Sequence, residues 1–405
     1  MNDDHTHRSP GPEGGAAEVF RIFLRLGLTA FGGPIAHLGY FRQEFVARRR
    51  WLSEDQYAQL LALCQFLPGP ASSQVGFGLG LVRAGWLGAL AAFVGFTLPS
   101  AALLFAFAVL VPGLSGDVGT AVLHGLKLVA LVVVAQALLG MSRQLCPDIP
   151  RATLAVLATV LLLVTTQAWM QVAVIVAGGL VGALWLRNVA VVDTTGLRVR
   201  HGAGMAVGLL SLFLLLLVGL PLAAVTGAGL ATVVDAFYRA GALVFGGGHV
   251  VLPLLEEAVV SPGWVGEEAF LAGYGAAQAV PGPMFAIASY LGALLPGANG
   301  GLLGATMATL AIFLPGFLLL AGVLPFWSRI VSRPSAARAV AGVNAAVVGL
   351  LAAAFYDPIW VTAIRHELDL AIALIGFLMA VSWRLSPLLV VLWCLVASAV
   401  TTIPV

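Results

Sequence analysis

Gln65–Gln74 reads QFLPGPASSQ, and Gln278–Ile287 reads QAVPGPMFAI. Each stretch places Pro-Gly-Pro behind a glutamine in apolar surroundings. Proline lacks an amide hydrogen and clashes with the preceding turn, so Pro68 and Pro281 end the helices that carry Gln65 and Gln278. Pro70 and Pro283 then fall in the first turn of a new helix, where a missing N–H costs nothing. The spacing predicts helix, break, helix at both places, with arms of about Tyr57–Leu67 and Ala71–Leu81 at the first. Arms this short are read as a hairpin that enters a membrane and turns near its middle.

The membrane follows from composition. Hydrophobic residues make up 60% of the chain and charged residues 9%, against roughly 25% charged in soluble domains. Apolar windows at Leu87–Leu110, Val118–Leu139, Leu154–Val164 with Val172–Leu186, Met205–Ala224, Leu302–Leu324, Ala336–Phe355, Leu370–Trp383 and Leu388–Thr401 are spans or near-spans at about 20 residues per crossing. The expected fold is an all-α polytopic membrane protein with roughly 9–13 membrane segments. The first residues, MNDDHTHRSPGPEGGAAE, lack an apolar core and are expected to be a flexible tail rather than a cleaved signal. Cys64, Cys146 and Cys394 lie far apart, which argues against a disulfide framework or a metal site. A net charge of +2 without a long basic run gives no reason to expect nucleic acid. No G-x-x-x-x-G-K-[ST] occurs, so nothing in the sequence encodes ATP hydrolysis by that motif.

The chain also matches itself at an offset of about 214 residues, the signature of a duplication. Arg25-Leu-Gly27 with Phe31-Gly32-Gly33 pairs with Arg239-Ala-Gly241 with Phe245-Gly246-Gly247. Trp51 and Glu54 pair with Trp264 and Glu267, Leu98-Pro99 with Leu314-Pro315, and GLKLVALVV at Gly125 with GVNAAVVGL at Gly342. The expected organisation is a tail at 1–17, a first half at 18–188, a linker with an extra membrane helix at 189–232, and a second half at 233–405. Cytoplasmic loops collect Lys and Arg. The Arg42–Arg50 loop carries four arginines, and its counterpart Glu256–Glu268 carries none. The bias reverses at the loop near Pro112–Asp117, whose counterpart carries Arg329, Arg333 and Arg338. Both comparisons predict an inverted-topology repeat with broken or re-entrant helices, the architecture of many secondary transporters.

The site residues follow from the breaks. A helix starting at membrane depth exposes free N–H groups and the positive end of its dipole, which favour an anion. The candidate substrate-binding set is Gln65, Pro68, Gly69, Pro70, Ser72, Ser73 and Gln74 in half one, with Gln278, Pro281, Gly282 and Pro283 in half two. Half two offers Met284, Phe285 and Ala286 where half one offers hydroxyls and an amide, so the two tips are chemically unequal. Lys127, the only lysine, lies inside an apolar segment and joins the set together with its repeat mate Asn344, because a buried cation must face a cavity or a partner. Snorkelling of Lys127 to an interface is the alternative. Candidates for gating or coupling are Arg25, Gly32, Gly33, His37, Asp235, Arg239, Gly246, Gly247 and His249. Asp235 and Arg239 have i,i+4 spacing, and histidine titrates near neutral pH. No catalytic residue, metal or cofactor is expected.

Several of these motifs together resemble one family. They are Phe31-Gly-Gly-Pro34 with His37, Trp51, Cys64-Gln65-x-x-Pro-Gly-Pro70 with Gln74, Phe245-Gly-Gly-Gly-His249, Gln278-x-x-Pro-Gly-Pro283, and Asn344-Ala-Ala-Val347 with Tyr356-Asp-Pro358. The combination resembles the chromate ion transporter family in its long, two-half form, over about 18–403. The resemblance implies a multi-pass carrier of the bacterial cytoplasmic (inner) membrane that exports chromate, driven by the electrochemical gradient rather than ATP. Sulfate, a tetrahedral dianion of similar shape, is an expected competitor. Ala71-Ser72-Ser73 departs from the Thr or Ala that many members carry after Pro-Gly-Pro, and bears on selectivity. The expected partners are thus an oxyanion and membrane lipid, and a homodimer stays open. The alternatives are an uptake carrier or channel for sulfate-like anions, and a membrane-embedded lipid-phosphate hydrolase. The last would need a base beside Ser72 or Ser73, and their motif supplies no His or Glu.

Overall fold

Helices break in this chain where glycine and proline force them to, and the breaks recur in both halves. The computed structural model describes residues 15–110, 116–165, 169–187, 202–225, 229–245, 248–327 and 333–402. Gly246, Gly247, Arg329, most of the expected tail, residues 112–115 of the expected base-free loop, and residues 189–201 and 226–228 of the expected linker lie outside the described residues.

The first half contains α1 (Ala16–Thr29), α2 (Gly33–Phe41, followed by a π-turn at Arg42–Arg48), α3 (Glu54–Phe66), α4 (Ala71–Leu110), α5 (Gly116–Leu145), α6 (Ile149–Val164) and α7 (Trp169–Trp185). The inserted helix is α8 (Ala203–Val225). The second half contains α9 (Leu230–Ala242), α10 (Val251–Val259), α11 (Glu267–Ala279), α12 (Ile287–Ala293), α13 (Gly301–Val323), α14 (Pro334–Ala354), α15 (Glu367–Val381) and α16 (Pro387–Thr402). In order, α9 repeats α1, α10 repeats α2, α11 repeats α3, α12 with α13 repeats α4, and α14 to α16 repeat α5 to α7. Among the described residues, five segments are long and apolar enough to cross a membrane: Ala71–Leu110, Gly116–Leu145, Ala203–Ala224, Gly301–Phe326 and Pro334–Ala363. With the shorter apolar helices, they make the chain a multi-pass membrane protein.

The arms of the first hairpin are α3 and the start of α4. Ser53 and Gln56 form a capping box that fixes where α3 begins. Leu67 then turns extended, so α3 ends just before Pro68. The α4 helix is interrupted at Ala84 and Gly85, where Gly85 takes a φ of 64°. Beyond that point the chain folds back so tightly that a Cβ on Gly80 would lie 2.3 Å from the Gly88 carbonyl. Gly292 and Gly304 repeat this contact, also at 2.3 Å, where α12 meets α13.

The halves interlock. The α6–α7 hairpin packs on α14 of the other half, and α15–α16 packs on α5. Small residues allow these approaches, as is usual where helices associate without a hydrophobic driving force. A Cβ on Gly182 would meet Gly342 Cα at 2.7 Å, and one on Gly125 would meet Leu395 Cα at 3.0 Å.

Candidate functional site

Glycine at the turn lets each Pro-Gly-Pro tip donate its backbone to the opposite half. Gly69, at φ 125°, donates its N–H to the Val244 carbonyl at 2.7 Å. Gly282, at φ 97°, donates to the Ala30 carbonyl at 3.0 Å. Val244 and Ala30 each lie one residue before a Phe-Gly-Gly element. Each tip therefore docks on the helix break of the other half, and buried backbone groups that the broken helices leave free find partners there.

The same exchange involves the repeated Leu-Pro positions. A Cβ on Gly69 would lie 3.0 Å from Gly316 Cα, and one on Gly282 would lie 2.9 Å from Ser100 Oγ. Gly316 follows Pro315, and Ser100 follows Pro99. Between the tips runs a ladder of rings: Phe285 and Phe313 at 5.8 Å, Phe313 and Phe317 at 5.9 Å, and Phe317 and Phe77 at 4.4 Å. The repeated Arg-x-Gly motif acts through its glycines. A Cβ on Gly27 would come within 2.8 Å of the Phe96 carbonyl, and one on Gly241 within 2.0 Å of the Ile312 carbonyl. Only glycine lets α1 and α9 press this closely on α4 and α13.

Polar groups at the tips are unequal, as the sequence implies. Gln74 is fully buried, and its amide nitrogen donates to the Pro68 and Gly316 carbonyls, each at 3.0 Å. Gln74 Oε1 and the neighbouring Ser73 Oγ are buried without a hydrogen-bond partner. Ser72 is also buried, whereas Gln65 is exposed. In half two, Gln278 directs its amide to Met284 Sδ at 3.1 Å. Pro68 is half-buried, and Pro70, Pro281 and Pro283 are buried in the two turns. A helix start with an unpaired Ser73 hydroxyl suits a small ligand whose oxygens accept hydrogen bonds, and tip one has more hydroxyl donors than tip two.

The described gating candidates fall into four places. Gly32 and Gly33, at φ 105° and 73°, make the break between α1 and α2. Buried His37 places Nε2 3.1 Å from the Ala30 carbonyl, the same oxygen that accepts from Gly282. A carbonyl only accepts, so Nε2 carries a proton, and Nδ1 faces no partner. His249 Nδ1 lies 2.8 Å from Tyr274 Oη. Asp235, buried in α9, takes an ion pair from Arg239 at 2.6 Å. Exposed Arg25 lines an open basin of about 680 Å³ with Arg21, Arg49, Glu18 and Glu44. Burial works against ionised Glu44, but Arg49 and Arg48 outweigh it and hold its carboxyl below the ordinary range.

Lys127 pairs with the start of α11 rather than with a tip residue. Lys127 Nζ donates to Glu268 Oε1 at 2.8 Å, at the start of α11. Glu268 lies ten residues before Gln278, or about 15 Å along an α-helix. Half-buried Asn344 leaves Oδ1 without a partner. One turn from Lys127, His124 Nε2 lies 2.7 Å from Asp369 Oδ1. Asp369 also accepts the backbone N–H groups of Arg365 and His366. The sequence reading did not pair His124 with Asp369, which lies 245 residues away. It also missed Val244, Ala30, Ser100 and Gly316. The last two adjoin the matched Leu-Pro pairs, which was the available signal.

A family model described as chromate transporter matches residues 17–183 and 231–399. The chromate transport protein of Pseudomonas aeruginosa is 30% identical over 369 residues, covering 89% of this chain and 85% of that protein. The probable chromate transport protein of Synechococcus elongatus is 29% identical over 409 residues, covering 97% of each. The chromate transport protein of Cupriavidus metallidurans is 28% identical over 366 residues, covering 89% and 85%. No solved structure matches.

Proposed function

We propose, from the premise that the chain belongs to the chromate transporter family, that it is a secondary active carrier exporting chromate across the bacterial inner membrane. The observation that carries this reading is the reciprocal docking of the tips, Gly69 on Val244 and Gly282 on Ala30. Neither tip moves without disturbing the break of the other half, so the two ends of a pathway are mechanically linked. Alternating access needs that linkage, whereas a simple pore does not.

The substrate is held at tip one. Chromate is a tetrahedral dianion whose oxygens accept hydrogen bonds, and Ser72 and Ser73 lie at the start of α4 to supply hydroxyl donors, while Gln74 holds the tip in shape through the Pro68 and Gly316 carbonyls. Neutral donors on a helix N-terminus bind an anion without a counter-charge that would hold it too tightly to release. Sulfate shares the geometry and competes. Gln278, with Met284 beside it, gives tip two a weaker grip.

The direction is outward. The basin with Arg21, Arg25 and Arg49 adjoins the arginine-rich π-turn, the cytoplasmic side by the distribution of positive charge. Glu256, Glu257 and Asp357 line a cavity elsewhere, assigned here to the outer face. Arginines gather the anion inside, and carboxylates discourage its return.

Everted vesicles containing the protein test this directly. Radiolabelled chromate should accumulate when the membrane is energised, sulfate should compete, and a protonophore should abolish accumulation. Chromate equilibration that ignores the protonophore would indicate a channel. Accumulation confined to right-side-out vesicles would reverse the direction.

A further inference from the structure

Glu268 Oε1 accepts from two cations at once, Lys127 Nζ at 2.8 Å and an Arg365 guanidinium nitrogen at 2.8 Å. The three residues come from α5, α11 and the turn before α15, so only the assembled fold creates the cluster. We propose that Lys127 and Arg365 form a second oxyanion site, distinct from the tips, in which the Glu268 carboxylate stands in for the transported anion. The inference rests on the oxyanion-carrier reading above.

Charge balance supports it. With Glu268 in place, two cations face one carboxylate; with Glu268 withdrawn, they present a charge of +2, the complement of a tetrahedral dianion. The neighbouring acids are already engaged. Asp369 is held by His124 and two backbone amides, and the Glu267 carboxylate takes the Thr362 hydroxyl.

Burial shows which partner moves. The Lys127 side chain is 3% exposed, whereas Glu268 is 66% exposed and Arg365 46%. Glu268 and Arg365 have room to swing into water, and Lys127 does not. A buried cation that loses its partner is strongly unfavourable, so departure of Glu268 requires another anion to arrive. Glu268 also lies in the first turn of α11, the helix that carries Gln278 to tip two, so exchanging its carboxylate for substrate releases the outer end of a hairpin arm.

Equilibrium dialysis of the purified full-length protein against radiolabelled chromate tests the site. The wild type should bind about one equivalent, at the tip. Glu268→Gln, which removes the competing charge, should add a second, and Glu268→Gln with Arg365→Gln should lose it again. Should Glu268→Gln fail gel filtration, Glu268→Asp, too short to bridge both cations, should show the second equivalent at higher chromate. A wild type that binds one equivalent, with either folded variant also binding one at unchanged affinity, overturns this inference alone. A wild type that binds neither chromate nor sulfate overturns the carrier reading beneath it.

Discussion

Gly69 hands its backbone N–H to the carbonyl of Val244 across 2.7 Å, joining the tip of one half to the break of the other. The contact depends on glycine twice over: its φ is 125°, and an added Cβ would press within 3.0 Å of Gly316 Cα. Such backbone conformations cost a non-glycine residue about 1–3 kcal/mol before any clash is counted. Gly69→Ala should lower chromate transport at least tenfold in everted vesicles at equal protein in the membrane. Gly282→Ala, at φ 97° and 2.9 Å from Ser100 Oγ, should do the same. Wild-type rates in both variants would show that the tips do not couple the halves.

Ser73 and Gln74 are neighbours with opposite expected behaviour. Ser73 Oγ is buried with no protein partner, so Ser73→Ala removes nothing the fold uses. A hydrogen bond to substrate is worth about 0.5–1.5 kcal/mol, so KM for chromate should rise about two- to tenfold with an unchanged melting midpoint. Gln74 bridges the Pro68 and Gly316 carbonyls, and Gln74→Leu strands both acceptors. That variant should melt lower, by the equivalent of about 1–3 kcal/mol for each stranded group. A Ser73→Ala protein with unaltered KM would remove Ser73 from the substrate site.

Proline and glycine are the parts of this fold most legible in sequence, because they act locally. The breaks expected at Pro68 and Pro281 occur there, with α3 ending at Phe66 and α11 at Ala279. Even so, the two tips differ beyond the turn. Pro70 leads directly into α4, whereas Pro283 leads into a 3-10 turn at Met284–Ala286 before α12 begins. What receives the tips was not legible, since Val244 and Ala30 contribute only backbone carbonyls, which every residue has. The environment of Lys127 was half legible. Its cost in an apolar helix demands a partner, but the choice of Glu268, 141 residues away, is decided by how α11 lies along α5. A Cβ on Gly275 would sit 2.1 Å from the Leu126 carbonyl, so that close approach brings Glu268 within reach.

Reversed loop charges predict that the Arg42–Arg48 turn and the Glu256–Glu268 loop face opposite sides of the membrane. Arg48 and Ser261 are reporters at these two positions, and both are exposed. Cys64 and Cys394 are buried, so Cys146→Ser gives a quiet background. In that background, a membrane-impermeant maleimide should label Ser261→Cys in intact cells and Arg48→Cys only after permeabilisation. Labelling of both from outside would refute the inverted arrangement.

Glu256 lies on α10, where it lines a cavity of about 170 Å³ with Glu257, Asp357, Thr165 and Gln171. Burial, then the charges of Glu267, Asp357 and Glu257, push its carboxyl up to about 8 from an ordinary value of 4.5. A carboxyl raised in this way favours the folded state while it holds its proton. That contribution is fully present below the unfolded value and is lost as pH rises through about 8. The melting midpoint of the purified protein should therefore fall as pH climbs from about 5 to about 8. Glu256→Gln keeps a neutral side chain of the same shape at every pH, so it should flatten that slope and melt higher than the wild type at the alkaline end. An acid-side midpoint close to the wild type's is expected, because there both side chains are uncharged. If Glu256→Gln retains the wild-type slope across this window, the loss of stability comes from other groups and the Glu256 carboxyl is ionised throughout.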